Sequence, residues 1–170
     1  MSCSANCADS GRDSVTITRE PRSKGSKAVI YKGETPDAID RQNPAATVTG
    51  ESEASISGLD PDIRYYFEVV SSDGKKTRVS ERRVQLEGGV NFRDLGGYQA
   101  RDGRRVKWGR IFRSDNLGRL TDRDLIYLQK MGIRLVCDFR TPAEIKKLPD
   151  RYPTESHGQS LHLPIQHGES

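Results

Sequence analysis

GIRLVCDFRTPAEIKKLPD, residues 132–150, joins a short apolar run to a clear helix start. The run consists of Ile133, Leu135, Val136 and Cys137. Such a nearly continuous run is typical of a buried parallel strand. Thr141 is suited to cap the following helix, because Pro142 takes its first position and Glu144 its third. Pro149 keeps that helix short. The stretch therefore predicts a strand and a helix in immediate succession.

The segments on either side extend this pattern. SLHLPI, residues 160–165, is expected to form the next parallel strand, reached by a right-handed crossover. Upstream, Thr121 and Asp124 have the spacing of a capping box, and Gly132 is suited to end the helix that they begin. Together these elements predict a βαβ unit within an incomplete α/β sheet.

Asp138 and Arg140 follow the predicted strand directly. Ligands of open α/β sheets bind at the carboxyl ends of the strands, so both side chains are candidate ligand contacts. Asp138 can hold Arg140 in a bidentate geometry suited to phosphate. The N–H groups after Thr141 favour negative charge at the same place. The alternative is a structural ion pair that fixes the strand end.

Residues 14–86 have a different periodicity. Apolar and polar residues alternate in short runs, with turn residues such as Pro36, Pro44 and Gly50 between them. The predicted strands lie at 14–20, 27–32, 45–50, 54–59, 64–70 and 77–85. Several short strands at this spacing predict an antiparallel β-sandwich.

One segment of this half, GLDPDIRYYFEVVSSDG, resembles the fibronectin type III pattern. Leu59, Pro61 and Tyr65 stand where that family keeps its Leu, Pro and corner Tyr. The Trp of the family's second strand is missing. The resemblance implies that residues 13–86 form a small sandwich of this kind, without chemistry of its own.

The segment GGVNFRDLGGY, residues 88–98, encloses Arg93 and Asp94 between pairs of glycines. The glycines make the backbone pliable where a cation stands beside an anion. One interpretation is a loop that passes close to a ligand. The alternative is a tight structural turn, in which Asn91 and Asp94 bond neighbouring backbone N–H groups.

Positive charge is concentrated just beyond this segment. YQARDGRRVKW predicts a hairpin that turns at Asp102 and Gly103, and GRIFRS predicts a further short strand. The net charge of +4 arises in residues 87–170, within which residues 93–113 alone carry seven basic and two acidic side chains. This field favours an anionic partner. Nucleic-acid binding through 93–113 is one alternative, although few aromatic residues accompany the arginines, and we expect no nucleic-acid partner.

Taken in order, these motifs resemble the tyrosine-phosphatase-like family of bacterial phosphatases that carry an Asn-Phe-Arg-Asp-Leu-Gly-Gly motif. The matching elements are NFRDLGG, the hairpin, an Arg-Ser strand, the helix and the strand end DFRTPAE. The resemblance covers about 87–165, and some members carry a similar sandwich in front. It implies two domains: the sandwich at 13–86, and at 87–170 the N-terminal part of a cysteine-phosphatase-like α/β domain.

The same resemblance implies a phosphate pocket bordered by both motifs. Gly96 and Gly97 would let the backbone pass close to the phosphate, and Asp94 would anchor the loop. Arg93 would orient Asp94 or meet the charge of the substrate. The candidate substrate-binding residues at the pocket rim are Asn91, Arg93, Asp94, Gly96, Gly97, Arg113, Asp138 and Arg140.

The chain lacks the cysteine loop that this chemistry needs. A cysteine-dependent phosphatase combines a thiolate with an Arg on the same loop, separated by five residues. None of Cys3, Cys7 and Cys137 has an Arg at the sixth following position. Cys137 is expected to be an inert core thiol in the buried strand. We therefore expect the front of a phosphatase that is inactive by itself, the full-length enzyme acting on a phosphorylated protein or a phosphoinositide.

Other residues suggest no further chemistry. Residues 1–12 contain two of the cysteines and are expected to be a disordered tail. His157, His162 and His167 are spaced by five, but few other ligand types flank them, so we expect no metal and no cofactor.

Composition limits the partners and the location. No apolar run approaches the ~18 residues of a membrane span, and no signal-like leader opens the chain. We expect a soluble protein, cytoplasmic or exported after signal removal, with a slight preference for export. A parallel sheet with too few strands leaves apolar faces open, which predicts self-association. A non-catalytic module that binds phosphate or protein is the other alternative.

Overall fold

The computed structural model describes residues 5–11, 13–19, 25–153 and 159–165, in which the regular secondary structure is mostly β-strand. Contacts divide the chain into two compact units. The first contains Met1–Val84 and Arg93–Phe112, and the second contains Gln85–Phe92 and Arg113–Ser170. Neither helix in the described ranges has the length and apolar character needed to cross a bilayer.

The first unit has two antiparallel sheets. The three-stranded sheet has the order β1 (Ala5–Gly11), β2 (Ser14–Arg19), β5 (Glu53–Ile56). The four-stranded sheet has the order β4 (Ala46–Thr49), β3 (Lys27–Gly33), β6 (Tyr66–Ser71), β7 (Lys76–Ser80). All six strands predicted between residues 14 and 85 are confirmed, with boundaries shifted by a few residues.

Alternation along the strands builds one core between these sheets. Ile17 of β2, with Phe67 and Val69 of β6, is at most 1% exposed and belongs to a single buried cluster. The Tyr65 hydroxyl accepts a hydrogen bond from the Asp60 backbone N–H at 3.4 Å, which is the bond expected of a corner tyrosine. The predicted sandwich is therefore present in this part of the chain.

The predicted disordered tail is wrong for residues 5–11, which form β1. This strand pairs antiparallel with β2, from Ala5 opposite Arg19 to Gly11 opposite Ser14. It satisfies backbone groups along an edge of β2 that would otherwise lack a partner strand. Residues 1–4, with Cys3, and residue 12 lie outside the described residues.

Residues 93–112 pack on the first unit rather than beginning the second. They contain β8 (Arg93–Asp94), a turn at Gly103 and the start of β9 (Phe112–Arg113), which pairs with β8. Trp108 Nε1 donates to the Arg78 carbonyl of β7 at 3.0 Å, which holds the segment against the sheet. The predicted boundary after Leu86 therefore differs from this division.

The second unit contains the predicted βαβ unit. Its elements are α1 (Asp122–Lys130), β10 (Leu135–Asp138), α2 (Pro142–Lys147) and β11 (Gln159–His162). β10 and β11 pair in parallel, with Leu135 opposite Gln159. Both predicted capping boxes form, Thr121 with Asp124 and Thr141 with Glu144.

The predicted burial of β10 is wrong. Leu135 is 49% exposed and Cys137 is exposed, whereas only Asp138 of this strand is buried. Among the described residues β11 is its one partner strand, and all four residues of β11 are exposed. Burial of a parallel strand requires layers on both faces, which this two-stranded sheet does not provide.

Candidate functional site

Asp94 is the most completely enclosed of the predicted site residues. Its side chain is 0% exposed and accepts three hydrogen bonds within the first unit. The donors are Arg64 Nη2 at 3.0 Å, the Gly96 backbone N–H at 2.7 Å and the Gly109 backbone N–H at 2.8 Å. Three donors, one of them charged, compensate the removal of this carboxylate from water. Asp94 thus fixes the loop and does not itself face solvent.

Arg64 lies just before β6 and is the buried cation opposite Asp94. Its side chain is 6% exposed, and its guanidinium also donates to the Glu81 carbonyl at 2.7 Å and to the Tyr66 hydroxyl at 3.0 Å. The Tyr66 and Phe112 rings flank the same guanidinium, which is 5.2 and 5.7 Å from their centroids. Burial is the largest influence on Tyr66 and raises the pKa of its hydroxyl.

A second arginine holds the backbone of the same loop. The Arg82 guanidinium donates to the Asp94 carbonyl at 2.7 Å and to the Gly96 carbonyl at 3.0 Å. It also lies 4.1 Å from the centroid of Tyr98 and 5.1 Å from that of Trp108. The loop is therefore fixed by side-chain contacts on both strands of its hairpin.

The two glycines are required by close packing against Trp108. A Cβ at Gly96 would lie 2.5 Å from the Trp108 Cα, and one at Gly97 would lie 2.8 Å from the indole ring. Gly97 also has φ of +78°, which favours glycine. These contacts explain, within the first unit, why the sequence has glycine at both positions. They agree with the alternative prediction of a tight structural turn.

The remaining residues of the NFRDLGG region are more open. Arg93 is exposed, and the guanidinium that bonds Asp94 belongs to Arg64, so the predicted orienting role of Arg93 is wrong. Asn91 has φ of +55° and donates through Nδ2 to Asp115 at 3.3 Å, not to the neighbouring backbone. Arg113 is exposed.

Asp138 and Arg140 meet in the second unit with the predicted bidentate geometry. Arg140 Nε donates to Asp138 Oδ1 at 2.9 Å, and Nη2 donates to Asp138 Oδ2 at 2.7 Å. The Arg140 hydrogen bond is the main reason that the pKa of Asp138 lies below its ordinary value, and burial opposes this effect. The same bond raises the pKa of Arg140.

Arg140 is also engaged by the chain that follows α2. Its Nη2 lies 2.8 Å from Asp150 Oδ1, and its Nη1 donates to the Leu148 carbonyl at 2.9 Å. One guanidinium thus faces two carboxylates, so the local formal charge is negative. Phosphate binding by Arg140 would require it to exchange partners that it already holds. His162 Nε2 lies 2.8 Å from the Arg140 carbonyl, at the end of β11.

The predicted site residues fall into two groups, one in each unit. Arg93, Asp94, Gly96 and Gly97 lie in the first unit, and Asn91, Arg113, Asp138 and Arg140 lie in the second.

Sequence reasoning predicted the pairing of Asp138 with Arg140 but missed Arg64 as the partner of Asp94 and Asp150 as a second partner of Arg140. Arg64 stands 30 positions before Asp94 in a predicted strand, and nothing in its local pattern marks it as a partner. Asp150 offered a weak signal, because it closes the DFRTPAEIKKLPD stretch. Asp124, predicted only as part of a helix cap, also accepts from the Glu87 and Gly88 backbone N–H groups, each at 2.8 Å. Burial alone would raise the pKa of Asp124, but these and further donors hold it below its ordinary value.

Within the described ranges, no three His, Cys, Asp or Glu side chains come together as a metal ion would require. His157 and His167 of the predicted histidine series lie outside those ranges.

A family comparison identifies the second half of the sequence. The model of the tyrosine phosphatase family matches residues 84–170, just over half of the chain. The chain belongs to the tyrosine phosphatase family. The matched segment contains both predicted motifs, NFRDLGG and DFRTPAE.

A curated relative agrees with this family. The chain is 43% identical over 72 residues to a Cupriavidus necator protein provisionally named as a tyrosine-protein phosphatase. The match covers 42% of this chain and 24% of that protein, so the chain matches about a quarter of the relative's length.

Solved structures give more distant similarities. The FN5 domain of Drosophila Lar is 17% identical with a TM-score of 0.34, covering 46% of this chain and 90% of that domain. Titin domains A168–A170 are 21% identical with a TM-score of 0.35, covering 45% of this chain and 28% of theirs.

Proposed function

We propose that these 170 residues form the framework of a phosphomonoester hydrolase of the tyrosine phosphatase family, without its nucleophile. The single observation that carries this proposal is the family match over residues 84–170, which includes both motifs. The intended chemistry is cysteine-dependent dephosphorylation, with no metal or other cofactor. The substrate would be a phosphorylated protein or a phosphoinositide.

The proposed architecture has two parts. A fibronectin type III-like sandwich precedes an incomplete α/β phosphatase unit. The parallel pairing of β10 with β11 and the capped helix α2 support the second part. The corner hydrogen bond of Tyr65 supports the first.

The predicted rim residues are proposed to have distinct tasks within each unit. Asp94 and the glycines after it would shape the loop, because Asp94 is buried and already bonded. Arg93 in the first unit and Arg113 in the second are each exposed, and each would be a cation available to a phosphate. Asp138 and Arg140 would hold the end of β10 in place through their ion pair.

The nucleophile is proposed to come from residues outside these 170. No cysteine here has an Arg at the required spacing, so the thiolate and its phosphate-binding loop are not encoded in this segment. The direct experiment extends expression along the reading frame beyond Ser170. We expect a Cys-x5-Arg loop within a few tens of residues, and hydrolysis of p-nitrophenyl phosphate that a Cys→Ser variant of that loop abolishes. An extended frame without such a loop would contradict the proposal.

Self-association through the open sheet of the second unit is proposed as well. Phe139, Leu161, Leu163 and Ile165 are each about half exposed, at 47–59%. Apolar side chains clustered around one small sheet favour burial against a second copy. Light scattering should give a mass above that of the monomer at micromolar concentration, and Leu161→Asp should reduce it. A monomeric mass for the unaltered chain would contradict this proposal.

A further inference from the structure

A groove in the first unit combines positive charge with the size of a small-molecule site. It runs between β7 and the hairpin of residues 97–110 and has a volume of about 630 Å³. Among the described residues, six cationic and two anionic side chains line it, an excess of four positive charges. We call it the basic groove, and its cations are Lys75, Lys76, Arg78, Arg105, Lys107 and Arg110.

The two carboxylates in the basic groove are already paired. Glu68 is 3% exposed and accepts from Arg41 at 2.7 and 3.0 Å, and this hydrogen bond is the main reason that its pKa is lowered. Asp37 accepts from Arg110 at 2.6 Å. Each carboxylate thus has a guanidinium partner, and Arg78 of the groove lies 3.5 Å from Glu68 and 4.0 Å from Asp37 as well.

Three cations of the groove are exposed and form no ion pair within 4.0 Å of a carboxylate of the described residues, namely Lys76, Arg105 and Lys107. The charge of Lys76 contributes to the lowered pKa of Glu68, so Arg105 and Lys107 are the cations most open to a ligand. Arg105 Nη1 donates to the Gly97 carbonyl at 2.8 Å, which holds this guanidinium against the hairpin while leaving its other N–H groups available. Like charges held close together without an anion raise the local positive potential.

The walls of the groove are fixed in place by contacts already described. Trp108 donates to the Arg78 carbonyl, and its ring packs on Gly96 and Gly97. Arg82 lies over the same ring. A cation set on fixed walls loses less conformational freedom when it binds a ligand than one on a mobile loop.

We propose that the basic groove binds a soluble anion with two or more linked phosphate groups. Guanidinium and ammonium groups are the side chains that proteins use for phosphate oxygens. The volume lies in the range of small-molecule sites. In the part of the chain that the structure describes, Trp108 is the one aromatic side chain that lines the groove, whereas single-stranded nucleic acids bind on a series of stacking rings. The site lies in the first unit and does not depend on the proposed phosphatase chemistry.

The test uses the whole chain with inorganic tripolyphosphate as the probe and orthophosphate as the comparison, at matched ionic strength. Calorimetric titration should show saturable binding of tripolyphosphate and much weaker binding of orthophosphate, because only the longer anion contacts several cations. The variant Arg105→Glu with Lys107→Glu should weaken tripolyphosphate binding by more than about tenfold.

The matched control is Lys130→Glu with Arg134→Glu, which makes the same change in net charge at exposed residues outside the groove. This control should keep the affinity within about twofold at moderate salt. Equal weakening by both double variants would show a general charge effect and overturn the proposal. The proposal would also be overturned if the unaltered chain showed no saturable binding of tripolyphosphate. The same holds if a short single-stranded DNA bound more tightly than tripolyphosphate and was equally sensitive to the variants.

Discussion

The Asp94 carboxylate of the NFRDLGG segment accepts its charged hydrogen bond from Arg64, at 3.0 Å and with both side chains buried. Arg64 precedes β6 of the sandwich, and Asp94 lies in the segment that Trp108 holds against β7 of the same sheet. The family motif is therefore held by a residue outside the matched segment 84–170. Two backbone N–H groups supply the other hydrogen bonds to this carboxylate. The buried Asp94 therefore stabilises the fold only while all three of its hydrogen bonds are present.

Removing either charge of this pair should destabilise the first unit strongly. Arg64→Ala leaves Asp94 as a buried anion without its cation, a change that costs about 3–5 kcal/mol in comparable pairs. Urea denaturation measures the loss. Arg104→Ala, which breaks the exposed ion pair with Asp102, serves as the control and should leave the unfolding midpoint unchanged. Similar losses in both variants would contradict a buried network.

Gly96→Ala should destabilise the chain by steric conflict alone. The added Cβ would lie 2.5 Å from the Trp108 Cα. Inserting a methyl group into such a packed site lowers the free energy of unfolding by about 1–3 kcal/mol. Gly103→Ala is the comparison, because Gly103 has φ of +83° and open space around it. It should cost roughly 1 kcal/mol through backbone strain. If thermal unfolding ranks Gly103→Ala as the more damaging change, the close approach to Trp108 is wrong.

Arg140→Met should destabilise the second unit in a pH-dependent way. The folded-state pKa of Asp138 is lowered, so its ion pair contributes stability above the unfolded pKa of about 3.9 and loses it as pH falls through the lower folded value. The difference between the unaltered chain and Arg140→Met should therefore be large near neutral pH and shrink below about pH 4. Urea midpoints at several pH values measure it. A difference that stays constant from neutral pH to pH 3 would exclude this charge pair as the cause.

Much of the local structure follows from the sequence, and the long-range contacts do not. Thr121 and Thr141 predicted their helices because the capping signal lies within four residues. The burial of Cys137 was predicted wrongly, because an apolar run does not specify what packs on its faces. The Arg64–Asp94 pair joins residues 30 positions apart that were assigned to different domains, so no local pattern could reveal it.

Amide exchange should differ sharply between the two sheets. β6 lies between β3 and β7 with core side chains, whereas β10 has one partner strand among the described residues and mostly exposed side chains. In the Leu161→Asp variant, in which self-association should be reduced, amides of β10 should exchange more than about tenfold faster than those of β6, because local opening of β10 exposes little further surface. Mass spectrometry after timed exchange resolves the two segments. Equal protection of both strands in this variant would contradict the open sheet.

The assignment of this chain as a framework rather than a complete catalyst is tested most directly by phosphate release from p-nitrophenyl phosphate. Purified protein of the given 170 residues should give the rate of the buffer blank, and Cys137→Ser should give the same rate. Cys137 is exposed, so a reagent could reach its thiol, but it lacks the Arg that a phosphatase loop supplies. Multiple turnovers by the unaltered chain that Cys137→Ser abolishes would contradict the account.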